Sequence, residues 1–111
     1  IGLELAQSIY SIVLDNKATG HTKNFNAEIA SVAKKDLKAG QKLDGEGGYC
    51  ARGRLISSKR SKQERILPMG YTDNAVLKND IMKDQFIRLD DVELNLQKEI
   101  IEAREYQYNL I

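Results

Sequence analysis

The residues best suited to chemistry fall in two short stretches. Asp44-Gly45-Glu46-Gly47-Gly48-Tyr49 sets two carboxylates among three glycines, and glycine lets a backbone bring its N–H groups close to a ligand. Asp44 and Glu46 are two positions apart and share a face if the segment is extended. Their repulsion would favour a bound cation, a basic partner such as Arg52, or solvent. Asp44, Glu46, Tyr49 and Arg52 are therefore candidate ligand-binding residues. The second stretch is Lys59-Arg60-Ser61-Lys62, continued by Arg65. Lys59 and Arg60 lead it as candidates to meet the phosphate groups of a cofactor or substrate. A plainer reading is preferred in each place: a β-bulge or hairpin connection for the glycines, and a mobile, solubilising loop for the basic run.

Other chemistries find no support. His21 stands alone, with no second histidine and no cysteine or aspartate at metal-ligand spacing, so no metal site is expected. Cys50 has no histidine nearby in sequence and reads as a buried structural thiol. As the single cysteine it allows no intrachain disulfide and suits a reducing cytoplasm. Neither G-x-G-x-x-G, G-x-x-x-x-G-K-[ST] nor G-x-S-x-G occurs in a usable context. The expectation is a chain without catalytic residues of its own.

The elements that must position these groups repeat themselves. Val32-Ala33-Lys34-Lys35-Asp36-Leu37-Lys38-Ala39-Gly40-Gln41-Lys42-Leu43 returns as Val76-Leu77-Lys78-Asn79-Asp80-Ile81-Met82-Lys83-Asp84-Gln85-Phe86-Ile87, identical at Val, Lys, Asp and Gln. Two copies point to a closed pseudo-twofold module rather than a solenoid. Each copy ends a short extended run at its valine and then turns. Asp36 can accept from nearby backbone N–H groups, and Gly40 tolerates positive φ. Lys83-Asp84 takes the same place in the second copy. Leu37 with Leu43, and Ile81 with Ile87, should point inward, followed by Val92. Pro68, the only proline, should fix a bend ahead of the second copy.

This pattern resembles the SAF domain, the β-clip module shared by sialic acid synthase C-terminal domains, type III antifreeze proteins and flagellar P-ring chaperones. A narrower likeness follows. Asp44-Gly45-Glu46-Gly47-Gly48-Tyr49, Gly53-Arg54-Leu55 and Leu67-Pro68-Met69-Gly70 are similar to the C-terminal SAF region of homoserine-dehydrogenase-like NAD(P)-dependent oxidoreductases. Those include the 1-deoxy-D-xylulose 5-phosphate reductoisomerase-like enzymes, and Ile1-Gly2-Leu3-Glu4-Leu5 is similar to the segment before their SAF region. Cys50-Ala51-Arg52 and the basic run depart from the pattern. The resemblance implies a mainly β fold of the β-clip type flanked by two helices: residues 1–22 as helix and linker from a preceding domain, 23–93 as the module, 94–111 as the C-terminal helix. It also implies a role as the C-terminal region of a cytoplasmic oxidoreductase, in domain packing, oligomerisation or the substrate-site wall. NAD(P) would then be bound by a dinucleotide-binding domain outside this chain. The alternative is a free-standing SAF module for a sugar or small polar ligand. A third reading, a secreted P-ring-type chaperone, fits the glycine-rich string less well.

Length and charge agree with a single module. The 111 residues suffice for one modest core, burying roughly two-thirds of the unfolded surface. A chain opening at Ile1 without a targeting segment reads as a processed or truncated product. Net charge of +1 gives no default pull toward nucleic acid, and no aromatics interleave with the basic run. No apolar run is long enough to span a membrane. Leu5, Ile9, Ile12 and Val13 form one helical stripe, with Asn16 or Gly20 ending the helix. From about Leu94 a second helix carries Leu96, Ile100, Ile101, Ala103 and Leu110, with tyrosines suited to packing near its end. An apolar first helix without its own core predicts self-association, a homo-oligomer visible by light scattering.

Overall fold

A computed structural model describes residues 2–111. Five strands form two sheets: β1 (Ala27–Ala33) pairs antiparallel with β3 (Ala51–Ser57), and β4 (Asp73–Leu77) lies between β2 (Lys42–Asp44) and β5 (Val92–Glu93). Three helices accompany them, α1 (Leu5–Val13), α2 (Ser58–Glu64) and α3 (Lys98–Asn109). The architecture is mixed rather than mainly β. Much of the module is joined by single bridges and turn hydrogen bonds instead of continuous strands, and the flanking helices are as prominent as the sheets.

The sequence repeat becomes a twofold exchange of hydrogen bonds. At its centre Leu37 N–H donates to Ile81 O at 2.7 Å and Ile81 N–H donates to Leu37 O at 2.9 Å. Around this pair the backbone bonds between the turns come as counterparts. Gly40 N–H reaches Leu77 O while Asp84 N–H reaches Ala33 O; Leu77 N–H reaches Gln41 O while Ala33 N–H reaches Gln85 O. Asp80 accepts Ala39 N–H, and Asp36 accepts Lys83 N–H, each at 2.8 Å. Asp36 thus serves the opposite copy, not its own neighbours. The glutamines bind locally, Gln41 Oε1 accepting Lys38 N–H and Gln85 Oε1 accepting Met82 N–H. Gly40 and Asp84 occupy equivalent left-handed positions at φ +84° and +68°. Asp tolerates this region better than most side chains, which is why the second copy can dispense with glycine.

Leu37, Leu43, Ile81, Ile87 and Val92 are buried as the pattern requires, joined by Leu67, Tyr71 and Leu77 in one cluster. Pro68 is extended and leads into a single helical turn, Met69–Tyr71, ahead of β4. α1 ends at Val13 with Leu14 as its C-cap, ahead of both Asn16 and Gly20, and Asn16 turns left-handed just beyond it at φ +49°. Its apolar stripe touches no core, and Leu5, Ile12 and Val13 are all more than half exposed. The C-terminal helix starts at Lys98, later than Leu94. Leu94 and Leu96 are spaced by two and both pack on the core, which holds that stretch out of a helix. Its inward face is Ile101, Arg104 and Tyr108, whereas Ile100 and Leu110 are exposed. Among the described residues no helix is long and apolar enough to cross a membrane.

Leu37→Ala should cost about 2–5 kcal/mol, because it empties the centre of the twofold contact; a lowered urea midpoint with unchanged slope is the expected result. Asp80 tests the polar half. Its carboxyl is held below the ordinary value of 3.8, chiefly by Ala39 N–H and then by Lys38. A depressed carboxylate contributes stability that is present above its unfolded-state pKa and lost as pH falls through the folded one. The stability gap between the natural chain and Asp80→Ala should therefore be full near about pH 6 and close progressively below about pH 4.

Candidate functional site

The glycine-rich string is a tightly tied turn. Asp44 Oδ2 accepts Tyr49 N–H at 2.6 Å and Oδ1 accepts Cys50 N–H at 3.1 Å. Gly45 and Gly47 are left-handed, at φ +76° and +73°. Gly48 is required for space, since a Cβ there would lie 2.4 Å from the Asp44 carboxyl. The backbone N–H of Tyr49 leads in holding that carboxyl below the usual range, against a smaller opposing effect of burial. Each Asp44 carboxylate oxygen thereby accepts one N–H of the chain's own backbone.

Because Gly45 reverses the chain, Asp44 and Glu46 do not share an extended face. Both line a groove of 360 Å³ with Met69, Gly70, Thr72 and Asp73. Tyr49 projects from the same turn, 82 % exposed. Arg52 is not their basic partner: it pairs with Asp84 of the second-copy turn at 3.3 Å. Cys50 is buried beneath, where burial and the neighbouring Asp44 push its thiol pKa up. That is the reverse of what a nucleophilic thiolate needs.

The basic run lies elsewhere and is not a loop. Lys59, Arg60, Ser61 and Lys62 belong to α2, whose first turn is capped by Ser57 Oγ accepting Arg60 N–H at 3.2 Å. Arg65 ends it at φ +52°. The signal was present in the sequence, for a serine ahead of lysine, arginine, glutamine and glutamate favours a capped helix. Lys59 is exposed. Arg60 pairs with Glu64 at 2.7 Å, one turn on, and lies over the Phe86 ring at 5.1 Å. The structure therefore splits the six candidates between the two ends of β3, about 20 Å apart at strand rise: Asp44, Glu46, Tyr49 and Arg52 at its start, Lys59 and Arg60 beyond its end.

Between them stands a residue outside both candidate stretches. Arg54 projects from the middle of β3 and lays its guanidinium 5.6 Å from the same Phe86 ring. The alternation Arg52-x-Arg54 is a period-two signal for one strand face. Also unforeseen is the tie that fixes α3. Arg104 reaches back to buried Glu28 on β1 and covers the Phe25 ring at 5.3 Å, while Tyr108 contacts Phe25 and shares a 3.1 Å hydrogen bond with Ser61 of α2. Tyr108 is the packing tyrosine, and Tyr106 is exposed. No cluster of three metal-ligating side chains occurs among the described residues.

Gly48→Ala and Asp44→Ala should each lower the melting temperature by about 5 °C, measured by circular dichroism. The two effects should combine to less than their sum, since both act through one carboxylate-to-backbone contact. Fully additive losses would mean that Gly48 matters for some other reason.

Compared with known proteins, the chain matches the SAF domain family over residues 31–93. No curated protein matches it. The matched span runs from β1 through both copies of the repeat to β5 and covers more than half of the sequence. With the reciprocal turns of that span on view, the conclusion is that this chain belongs to the SAF domain family.

Proposed function

We propose that this chain is the SAF region of a larger NAD(P)-dependent oxidoreductase of the homoserine-dehydrogenase-like group, and that it supplies packing and oligomer contacts or a wall of the substrate site rather than the reacting groups. SAF domains are often found within larger proteins. The observation that carries the reading is α1. Leu5, Ile9, Ile12 and Val13 line one side of a helix that the rest of the chain leaves uncovered. Such a surface is costly to leave in water. In the resembling enzymes the equivalent helix belongs to the preceding domain, which on this reading covers the stripe and carries the dinucleotide site. The resemblance of Asp44 to Tyr49, Gly53 to Leu55 and Leu67 to Gly70 supports the choice of oxidoreductase. Asp44 there acts as a scaffold, and Glu46 and Tyr49 are the members of that turn left available to face a neighbouring domain or ligand.

Two measurements test this. Blotting a cell extract with an antibody against this chain should reveal a product several times heavier than 12.5 kDa, and that product, once purified, should quench NADH or NADPH fluorescence on binding. A band at the chain's own mass overturns the reading, and a heavy product that binds neither dinucleotide overturns the oxidoreductase assignment. In parallel, the double substitution Ile9→Glu with Val13→Glu should leave unfolding of the isolated chain within about 0.5 kcal/mol of the natural one, as for exposed sites. The same change should separate the melting transitions of the full product. If the isolated chain loses stability instead, the stripe has a partner within it.

A further inference from the structure

We infer that the outer edge of β3 is a docking strand for an extended segment of another polypeptide, acidic at alternate positions. Ser58 N–H donates to Asn26 O and Lys34 N–H donates to Cys50 O, at the two ends of the β1–β3 ladder. In an antiparallel pair the residues that exchange bonds alternate with those that do not. With both ends fixed, Arg52, Arg54 and Ile56 bond to Val32, Ala30 and Glu28, so Gly53, Leu55 and Ser57 direct their N–H groups away from β1. β1 itself behaves this way on its other side, where Ser31 and Ala33 bond to Leu67, Gln85 and Ile87. No partner for the outward N–H groups of Gly53, Leu55 and Ser57 occurs among the described residues, and all three residues are exposed.

Edges of this kind are usually obstructed by projecting charges, proline or a bulge. Here the obstruction is withdrawn. Arg54 folds back over Phe86, and Arg52 leans to Asp84, so neither guanidinium extends past the edge. No bulge interrupts the seven-residue register with β1. The two faces of the edge then define the occupant. One face offers Arg52 and Arg54, and Arg54 has no carboxylate within ion-pairing distance among the described residues. The opposite face offers Leu55, 69 % exposed, beside its register partner Ile29 at 44 %. An added strand with acidic side chains on the first face and aliphatic ones on the second matches both, while its main chain completes the ladder. A second copy fits badly, because two β3 edges meeting antiparallel would set Arg52 and Arg54 near their own counterparts. A bare phosphate would leave the outward carbonyls and the Leu55 face unused.

The test is an NMR titration of the isotope-labelled chain with a blocked peptide of alternating glutamate and valine, beside the same peptide with lysine for glutamate. The expected result is shifts and slowed hydrogen exchange at the amides of Gly53, Leu55 and Ser57 with the acidic peptide only. Arg54→Glu should weaken binding by about tenfold or more, as removal of a matched interfacial charge does. Leu55→Pro, which deletes one outward N–H and leaves the β1-facing bonds intact, should abolish it. If Leu55→Pro fails to fold, Arg54→Glu carries the test, its integrity checked by a protected amide at Ile56, whose partner on β1 is Glu28. Equal binding of the lysine peptide, shifts confined to other surfaces, or no binding at millimolar peptide overturns the proposal. So does protection of the edge that grows with protein concentration in the absence of peptide, which would assign the edge to a second copy.

Discussion

The structure depends on the reciprocal pair of hydrogen bonds between Leu37 and Ile81. Each turn satisfies much of its polar backbone by using the other. Buried N–H and C=O groups must be paired, and here Leu77 and Gln41, Ala33 and Gln85, and the two aspartates to opposite turns complete the account. Of the positions identical between the copies, this geometry explains the aspartates and the glutamines. Asp36 and Asp80 cross-link the turns, and Gln41 and Gln85 close each turn on itself. The aliphatic pairs Leu37 with Ile81 and Leu43 with Ile87 differ in shape yet conserve volume, the kind of exchange a core accepts at small cost.

Once the twofold contact is closed, the rest of the chain has few choices. β1 must continue outward from Val32 and pair with β3, since its other side is taken by residues 67 and 85–87. The connection from β2 to β3 must then reverse within a few residues, which is why Asp44 gathers Tyr49 and Cys50 N–H and why a side chain at Gly48 would press on the Asp44 carboxyl. The same constraint uses one acceptor site on each Asp44 carboxylate oxygen for the chain's own backbone. The surfaces that the twofold contact leaves open are the Glu46 and Tyr49 side of the turn, the β3 edge and the apolar side of α1.

The two flanking helices have opposite physical standing. α3 is anchored by Arg104 to a buried glutamate and by Tyr108 to Ser61 and Phe25. A buried ion pair adds little net stability, yet leaving either partner alone is expensive, so the contact works as a selector of where the helix sits. Among the described residues no comparable tie holds α1, and Leu5, Ile9, Ile12 and Val13 are exposed on it. α1 must therefore be read through whatever covers it, and α3 through the module itself.

By itself the sequence determined the repeat, the inward positions Leu37, Leu43, Ile81, Ile87 and Val92, the left-handed turns at Gly40 and Asp84, the helix over Leu5–Val13, and membership of the SAF family. These rest on local conformational preference and on periodicity, which act over a few residues and are written in residue type. It did not determine that Asp36 serves the opposite turn, that Arg52 answers to Asp84, that Glu28 meets Arg104, or that Arg54 and Arg60 share Phe86. Each of those joins residues distant in the chain, with partners chosen by the register in which β1, β3 and the second turn come together. The α2 boundary was legible in the Ser57 cap but was outweighed by the charge of the run, while the late start of α3 was decided by Leu94 and Leu96. Burial of those two leucines on the core outweighs the helical preference of their neighbours, a competition that exists only once the core has formed.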